Sequence, residues 1–229
     1  MNYTPIVSAR GLSRHYPLGK ETVPALSEAD LDIMQSDFLV LQGPSGSGKT
    51  TLINLLGLLD CPDAGSILLD GVNAASLNDD ARADARRDRF GFIFQNFNLI
   101  PVLTAAENVA YPMTLKHTTA DAMQKRTQEL LAAVGLSDKA QVRPDLLSGG
   151  QRQRVAIARA LANAPGVIYA DEPTANLDTR TADTILDLMQ QLNRERGVAF
   201  VIATHDPRVV ARAGRMVTLR DGRIMETPA

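Results

Sequence analysis

The chain has 229 residues, of which 45% are hydrophobic and 22% charged, with a formal net charge of −2; that is the size of one domain, or of one domain carrying an inserted lobe, with enough apolar material for a real core. The charge balance excludes a polyanion partner held by bulk electrostatics, and the single cysteine, Cys61, excludes an intrachain disulfide and fits a reducing compartment. The most apolar runs, 52–59 and 198–203, fall short of the roughly 18–20 residues a membrane helix needs, and the start of the chain lacks the basic-then-apolar pattern of a signal peptide, so a cytosolic chain is expected that meets a membrane only through a partner.

In chain order, Phe38–Gln42 reads as a buried strand entering a Gly-rich loop, and 50–59 as a helix. Residues 67–69 followed by Asp70-Gly71 read as a strand and a tight turn, and 90–94 as another short apolar strand. The spacing of Met123, Leu130 and Val134 predicts a helix over 120–134, stopped by Gly135. Ser148 stands where an N-cap belongs, ahead of a helix over 151–161. Residues 167–170 form a continuous apolar strand, 181–193 a helix closed by Gly197, and 198–203 a further buried strand. The run 216–219, Asp221-Gly222 and 223–225 reads as a terminal hairpin. Strands alternating with helices predict an α/β fold, a parallel sheet with helices on both faces. The mostly helical stretch at about 96–158 interrupts that alternation. It reads as an inserted helical lobe in a single domain over 1–229, whose core is about 1–95 and 159–229.

Gly43-Pro44-Ser45-Gly46-Ser47-Gly48-Lys49-Thr50 fits G-x-x-x-x-G-K-[ST] in full, between a predicted strand and a predicted helix. Glycines let backbone N–H groups turn inward around phosphate oxygens, and the following helix aims its positive end at the same anion. Lys49 is expected on the β- and γ-phosphates and Thr50 on Mg²⁺, with Thr51 completing the nucleotide-binding set. Asp171 closes a buried strand and can bind Mg²⁺; Glu172 follows as a second carboxylate suited to polarising the attacking water.

Leu147-Ser148-Gly149-Gly150-Gln151 resembles the LSGGQ signature of the ATP-binding cassette family. Further segments are similar to that family's motifs, in the family's order. Tyr16 matches the aromatic that stacks on adenine, and Gln95 the glutamine that reaches Mg²⁺ or the water. Asp171-Glu172-Pro173-Thr174 matches the hydrolytic strand end, Ala175-Asn176-Leu177-Asp178 the D-loop, and Thr204-His205-Asp206 the switch histidine. The resemblance covers nearly the whole chain. It implies a RecA-like P-loop NTPase core with a parallel sheet, an N-terminal antiparallel β portion and an inserted helical subdomain. It also implies an ATPase using ATP and Mg²⁺, with Glu172 and His205 catalytic, and a homodimer in which Ser148, Gly149 and Gly150 contact the γ-phosphate in trans. The residues agree on one point: a helix capped by Ser148 offers a second anion-binding end in the same chain. Arg152, Arg154 and Arg159 read as a solvated helix face with a few ion pairs, not as a nucleic-acid footprint.

Within the family, Leu55-Leu56-Gly57-Leu58-Leu59-Asp60, 90–95, Asn98-Leu99-Ile100-Pro101, Glu107-Asn108-Val109 and Arg143-Pro144 look like the group of lipoprotein-releasing, macrolide-export and cell-division ATPases, the lipoprotein-releasing type closest. Gln151 departs from the Glu that this type often carries; the anion donors are backbone, so little chemistry changes. The chain ends soon after Met225-Glu226, so neither the C-terminal domain of sugar-importer ATPases nor a fused transmembrane domain is expected. The implied function is an ATP-hydrolysing subunit that drives a separate transmembrane partner in lipoprotein release or export-type work. It would sit peripherally on the cytoplasmic face of the inner membrane, and part of the apolar run 97–103 would dock a short cytoplasmic helix of the partner. The alternatives are the ATPase of a solute importer or a nucleic-acid- or ribosome-associated member of the family. The last usually carries two cassettes or a long coiled coil, and no sustained heptads occur here.

Overall fold

The computed structural model describes residues 4–19 and 21–225; residues 1–3, 20 and 226–229, Glu226 among them, lie outside the described residues. The chain runs β1 (Val7–Leu18), β2 (Glu21–Ile33), β3 (Phe38–Gln42), α1 (Lys49–Leu56), β4 (Ala64–Leu69), β5 (Val72–Asn73), α2 (Asp79–Arg89), β6 (Phe90–Ile93), α3 (Ala105–Thr114), α4 (Ala120–Ala133) and α5 (Gly149–Ala160). It continues through β7 (Val167–Asp171), α6 (Thr179–Arg196), β8 (Ala199–Thr204), α7 (Pro207–Val210), β9 (Arg215–Arg220) and β10 (Arg223–Met225). Among the described residues, no helix is long and apolar enough to cross a membrane.

The main sheet has the order β10-β9-β3-β8-β7-β6. Its strands β9, β3, β8, β7 and β6 are parallel, and β10 returns antiparallel as the expected hairpin. The central strands are apolar on both faces because both faces are covered, as parallel sheets require. Leu39, Leu41, Tyr169 and Val201 face α1 and the second sheet, whereas Val40, Ile168, Phe200 and Ile202 share a core with α3, α4, α5 and α6. α1 buries Leu52, Leu55 and Leu56 against the first of these layers.

The second sheet, β2-β1-β4-β5, is antiparallel throughout. Its long β1–β2 pair shifts register between Ala9 and Leu12, between Leu12 and Arg14, and between Arg14 and His15. Those irregularities break the period-2 alternation by which a half-buried strand is recognised.

α2 was not legible in the sequence because none of its residues is buried; it is held by the Asn78 cap and by acidic residues before basic ones along its length. α6 begins at Thr179, two residues earlier than its apolar pattern suggests, because Asp178 accepts the N–H of Thr181 as its N-cap. Between β6 and β7 the regular elements are helical. α5 presses its end on β6 at Gly91, where a Cβ would stand 2.4 Å from the Ala160 carbonyl oxygen.

Candidate functional site

The Gly43–Thr50 loop leaves β3 and enters α1 through Gly48, whose φ of 101° is a left-handed conformation that favours glycine. A Cβ on Gly48 would lie 2.4 Å from the Ala25 carbonyl oxygen, and one on Gly43 2.3 Å from that of Leu219. The loop is thus wrapped closely enough that side chains are excluded at both places. Lys49 is buried, and its Nζ donates to the carbonyl oxygens of Gly43 at 2.8 Å and Pro44 at 2.9 Å.

A cavity of about 700 Å³ opens over this loop, a size suited to a small-molecule ligand. Pro44, Ser45, Gly46, Gly48, Lys49, Thr50 and Thr51 line one side, and Gln95, Asp171, Glu172 and His205 line the other, with Ala25 at the margin. Gly43 and Ser47 are not part of the lining. The carboxylates arrive there because β7 and β8 end together: Asp171 pairs with Ala203, so the residues after both strands emerge at the same sheet edge, where ligands bind in this architecture.

Thr50 Oγ1 donates to Asp171 Oδ2 at 3.0 Å. Burial pushes the Asp171 carboxyl above its ordinary range, the Thr50 hydrogen bond opposes that, and the adjacent Glu172 charge adds to it. Glu172 follows at φ 45°, an uncommon conformation for a non-glycine residue, held by its N–H donating to the Ala203 carbonyl at 2.9 Å. Its carboxylate accepts from Thr204 Oγ1 at 2.9 Å through Oε2 and meets His205 Nδ1 at 2.6 Å through Oε1.

Not every expected site residue joins this cavity. Tyr16 lies outside the lining. It is 37% exposed, pairs with Val23 on β2, donates its hydroxyl to Asp60 at 2.8 Å and lies under the Arg14 guanidinium. Ser148, Gly149 and Gly150 also lie outside it. Ser148 caps α5 as expected, in a full capping box with Gln151. Gly150 faces Thr181 so closely that a Cβ would come within 2.4 Å of its Cγ2, which seats the signature against the start of α6.

Some residues that organise the site appear in the sequence reading only as members of family-like segments, with no role of their own. Thr204 is fully buried, and its Oγ1 accepts the N–H of Asp206 at 3.0 Å, so its one proton is directed to Glu172. Asn176 Nδ2 donates to the Gln95 carbonyl at 2.9 Å, and Asn108 pins the loop after Gln95 through Ile100, Leu103 and Thr104. The arginines of α5 do not form the solvated, ion-paired face expected of them. Arg159 donates to the carbonyls of Phe97 and Asn98, Arg154 to that of Val134, and Arg152 lies over the Phe97 ring. Only the folded chain brings these carbonyls within reach of α5.

The chain matches the ABC transporter family profile over residues 26–175. It is 47% identical over 223 residues to the lipoprotein-releasing system ATP-binding protein LolD of Anaeromyxobacter dehalogenans, covering 97% of this chain and 93% of that protein. It is 48% identical over 221 residues to the macrolide export ATP-binding/permease protein MacB 1/2 of Paracoccus denitrificans, covering 96% of this chain but spanning only 33% of that protein's length. The dimeric structure of the bacterial ABC transporter cassette MJ0796 superposes with a TM-score of 0.88 at 42% identity, covering 96% of this chain and 97% of that one; the same cassette bound to ADP and Pi in a post-hydrolysis state superposes equally well. With a phosphate-type loop facing two carboxylates at one sheet edge, and a likeness that runs through whole chains, the protein belongs to the ABC transporter family.

Proposed function

We infer that this chain is the ATP-binding and ATP-hydrolysing subunit of an ABC transporter, that it dimerises around two ATP, and that it drives a separate transmembrane partner. The observation that carries this reading is the gathering of Lys49, Thr50, Gln95, Asp171, Glu172 and His205 around one cavity, whose lining does not include the signature residues Ser148, Gly149 and Gly150. A second copy is then needed to bring Ser148, Gly149 and Gly150 to the phosphates, and symmetric pairing makes two such sites. The Ser148 side chain takes the Gln151 N–H, so the first N–H groups of α5, which have no intrahelical partner, face the incoming anion.

Lys49 exchanges its two loop carbonyls for phosphate oxygens when ATP enters. Glu172, oriented by Thr204 and His205, takes a proton from the attacking water, and His205 holds the arrangement against the γ-phosphate. Tyr16 stacks on adenine from its place beside Val23, two residues before the cavity residue Ala25. Gln95 reports the state of the site to the helical segment. The donor set fits Mg²⁺: one carboxylate and one hydroxyl in contact at the cavity wall are hard oxygen ligands, and Mg²⁺ is commonly held by one or two carboxylates together with substrate phosphates. When bound, Mg²⁺ would be held by Thr50 and Asp171 and would supply positive charge against that developing on the phosphates.

The division into a nucleotide core at about 1–95 and 159–229 and a helical subdomain at about 96–158 is part of this reading. A groove of about 540 Å³ lies between α2, β6, α3 and α5, with Phe92, Phe94, Ile100, Tyr111 and Leu115 on its walls. It suits an amphipathic helix of the partner, and on this reading the chain sits peripherally on the cytoplasmic face of the membrane. From the run 97–103 both Asn98 and Ile100 line this groove, whereas Leu99 packs on the core. Lipoprotein release or related export work is the favoured branch, because the chain spans almost the full length of the LolD relative. The test is ATPase activity of the purified chain with Mg²⁺ and with chelator, and with the membrane partner, DNA or ribosomes added. Activity that requires Mg²⁺ and rises only with the membrane partner is expected; stimulation by DNA or ribosomes would overturn the transport assignment.

A further inference from the structure

Tyr16 is held from two sides. Its hydroxyl donates to Asp60 Oδ2 at 2.8 Å, and the Arg14 guanidinium lies over its ring, 5.1 Å from the centroid. The two holders are joined to each other. Arg14 Nε donates to Asp60 Oδ2 at 3.0 Å and Nη2 to Asp60 Oδ1 at 2.9 Å, a bidentate pair in which both side chains are partly buried. The remaining arm of the fork, Nη1, donates to Asp63 Oδ1 at 2.7 Å. Asp63 in turn accepts the His15 N–H at 2.7 Å, and its own N–H donates to the Ser13 carbonyl at 2.9 Å. Asp60 and Asp63 lie between α1 and β4, just beyond the end of the helix that starts at Lys49. The segment 13–16 of β1 is therefore clamped to the loop that follows the phosphate-site helix. A single exposed ion pair contributes little to stability. A bidentate pair extended into a network orients what it touches, and here it touches the Tyr16 ring.

We propose that Arg14 and Asp60 are positioning residues for the nucleotide base: together they fix the Tyr16 ring so that its face away from Arg14 receives adenine, and they tie that ring to the helix carrying Lys49 and Thr50. The proposal rests on the stacking reading given above and adds the residues that prepare the ring. A cation over one face of a phenol ring draws electron density from the other, which favours an electron-rich purine there. A ring already fixed in orientation also loses less freedom when the base stacks on it. The ring remains exposed and lies outside the cavity lining, as a platform at the cavity margin should. Base and phosphates of one nucleotide are then met by groups anchored at the two ends of α1: Lys49 and Thr50 at its start, and the Asp60 clamp just past its last turn.

The test is the ATP affinity of the purified full chain with Mg²⁺, measured by calorimetry in a double-mutant cycle of Tyr16→Ala and Arg14→Gln. Tyr16→Ala should weaken binding about tenfold or more. Arg14→Gln should weaken it about three- to fivefold while Tyr16 is present, and should have no further effect once Tyr16 is replaced by alanine. In turnover assays that loss should fall on KM and not on kcat. Tyr16→Phe keeps the ring and removes only the hydroxyl bond to Asp60; it should weaken binding about threefold, and it serves if Arg14 variants fail to fold. If Tyr16→Ala weakens binding but Arg14→Gln changes nothing, or has the same effect on both backgrounds, the positioning role of Arg14 is overturned and the stacking reading stands. Parental affinity in Tyr16→Phe overturns the Asp60 anchor in the same way. If Tyr16→Ala binds ATP as the parent does, the stacking reading falls, and the positioning proposal with it.

Discussion

His205 Nδ1 lies 2.6 Å from one carboxylate oxygen of Glu172, while the other oxygen accepts the Thr204 hydroxyl at 2.9 Å. Both oxygens are therefore engaged before any substrate arrives, and the carboxylate is aimed instead of free to rotate. Glu172→Gln keeps the shape and removes the base. It should leave ATP binding in place and slow hydrolysis by about 10²–10⁴-fold, with ATP holding a dimer visible by gel filtration. Turnover near the parental rate would move the base elsewhere, His205 being the next candidate.

Thr204→Val removes the hydroxyl that orients Glu172 and keeps the side-chain volume. A hydrogen bond to a charged group contributes about 1.5–3 kcal/mol, so kcat should fall by roughly tenfold or more. KM for ATP should hardly move, because Thr204 lies behind Glu172 and does not line the cavity. Thr204→Ser keeps the hydroxyl and should restore most of the rate. A change confined to KM would show that Thr204 acts on binding.

Lys49→Ala should weaken ATP binding by about 1.5–3 kcal/mol, the usual contribution of a charge-assisted contact. Calorimetric titration of mutant and parent decides it; equal affinities would remove Lys49 from the phosphate site. The ammonium is already partnered by the Gly43 and Pro44 carbonyls, so part of the binding energy is spent on exchanging those bonds.

Asp171 gives a stability effect whose sign depends on pH. Its carboxyl is raised by burial, so the folded, nucleotide-free chain is penalised for carrying the charge. The penalty is absent below about pH 3.9, where the unfolded group is protonated as well, and grows as pH rises through the raised folded value. Asp171→Asn should therefore increase Tm at neutral pH without nucleotide, and the gain should close on acidification. The same variant should lose Mg²⁺-dependent nucleotide affinity. Thermal melts at several pH values would contradict this if the variant were less stable than the parent at neutral pH.

Ile100→Lys should abolish stimulation by the membrane partner and copurification with it, because it adds a cation to a groove that already holds arginines. Basal ATPase should persist, since Ile100 does not line the nucleotide cavity. Retained stimulation would place the docking surface elsewhere.

Much of the core and of the phosphate site was legible because its information is local. The loop 43–50 declares itself through contiguous glycines, Lys49 and Thr50. The central strands do so through unbroken apolar runs, and α5 through the Ser148 cap. The β1–β2 pair, expected only through the family resemblance, and α2 were not legible from their own residues for opposite reasons: one loses its alternation to register shifts, and the other has no apolar face to show.

What the sequence determined by itself is therefore the identity of the chemical groups and the order in which the chain presents them. What only the tertiary structure decided is which of them meet. Glu172 reaches Thr204 because β7 and β8 pair with Asp171 opposite Ala203. Asn176 reaches Gln95, and Arg159 reaches Phe97 and Asn98, across 81, 62 and 61 residues of sequence. Tyr16, by contrast, ends beside Asp60 and outside the cavity lining. Such contacts have no local pattern, because a hydrogen bond between distant segments depends on strand register and helix seating, and those are set by the packing of the whole core at once.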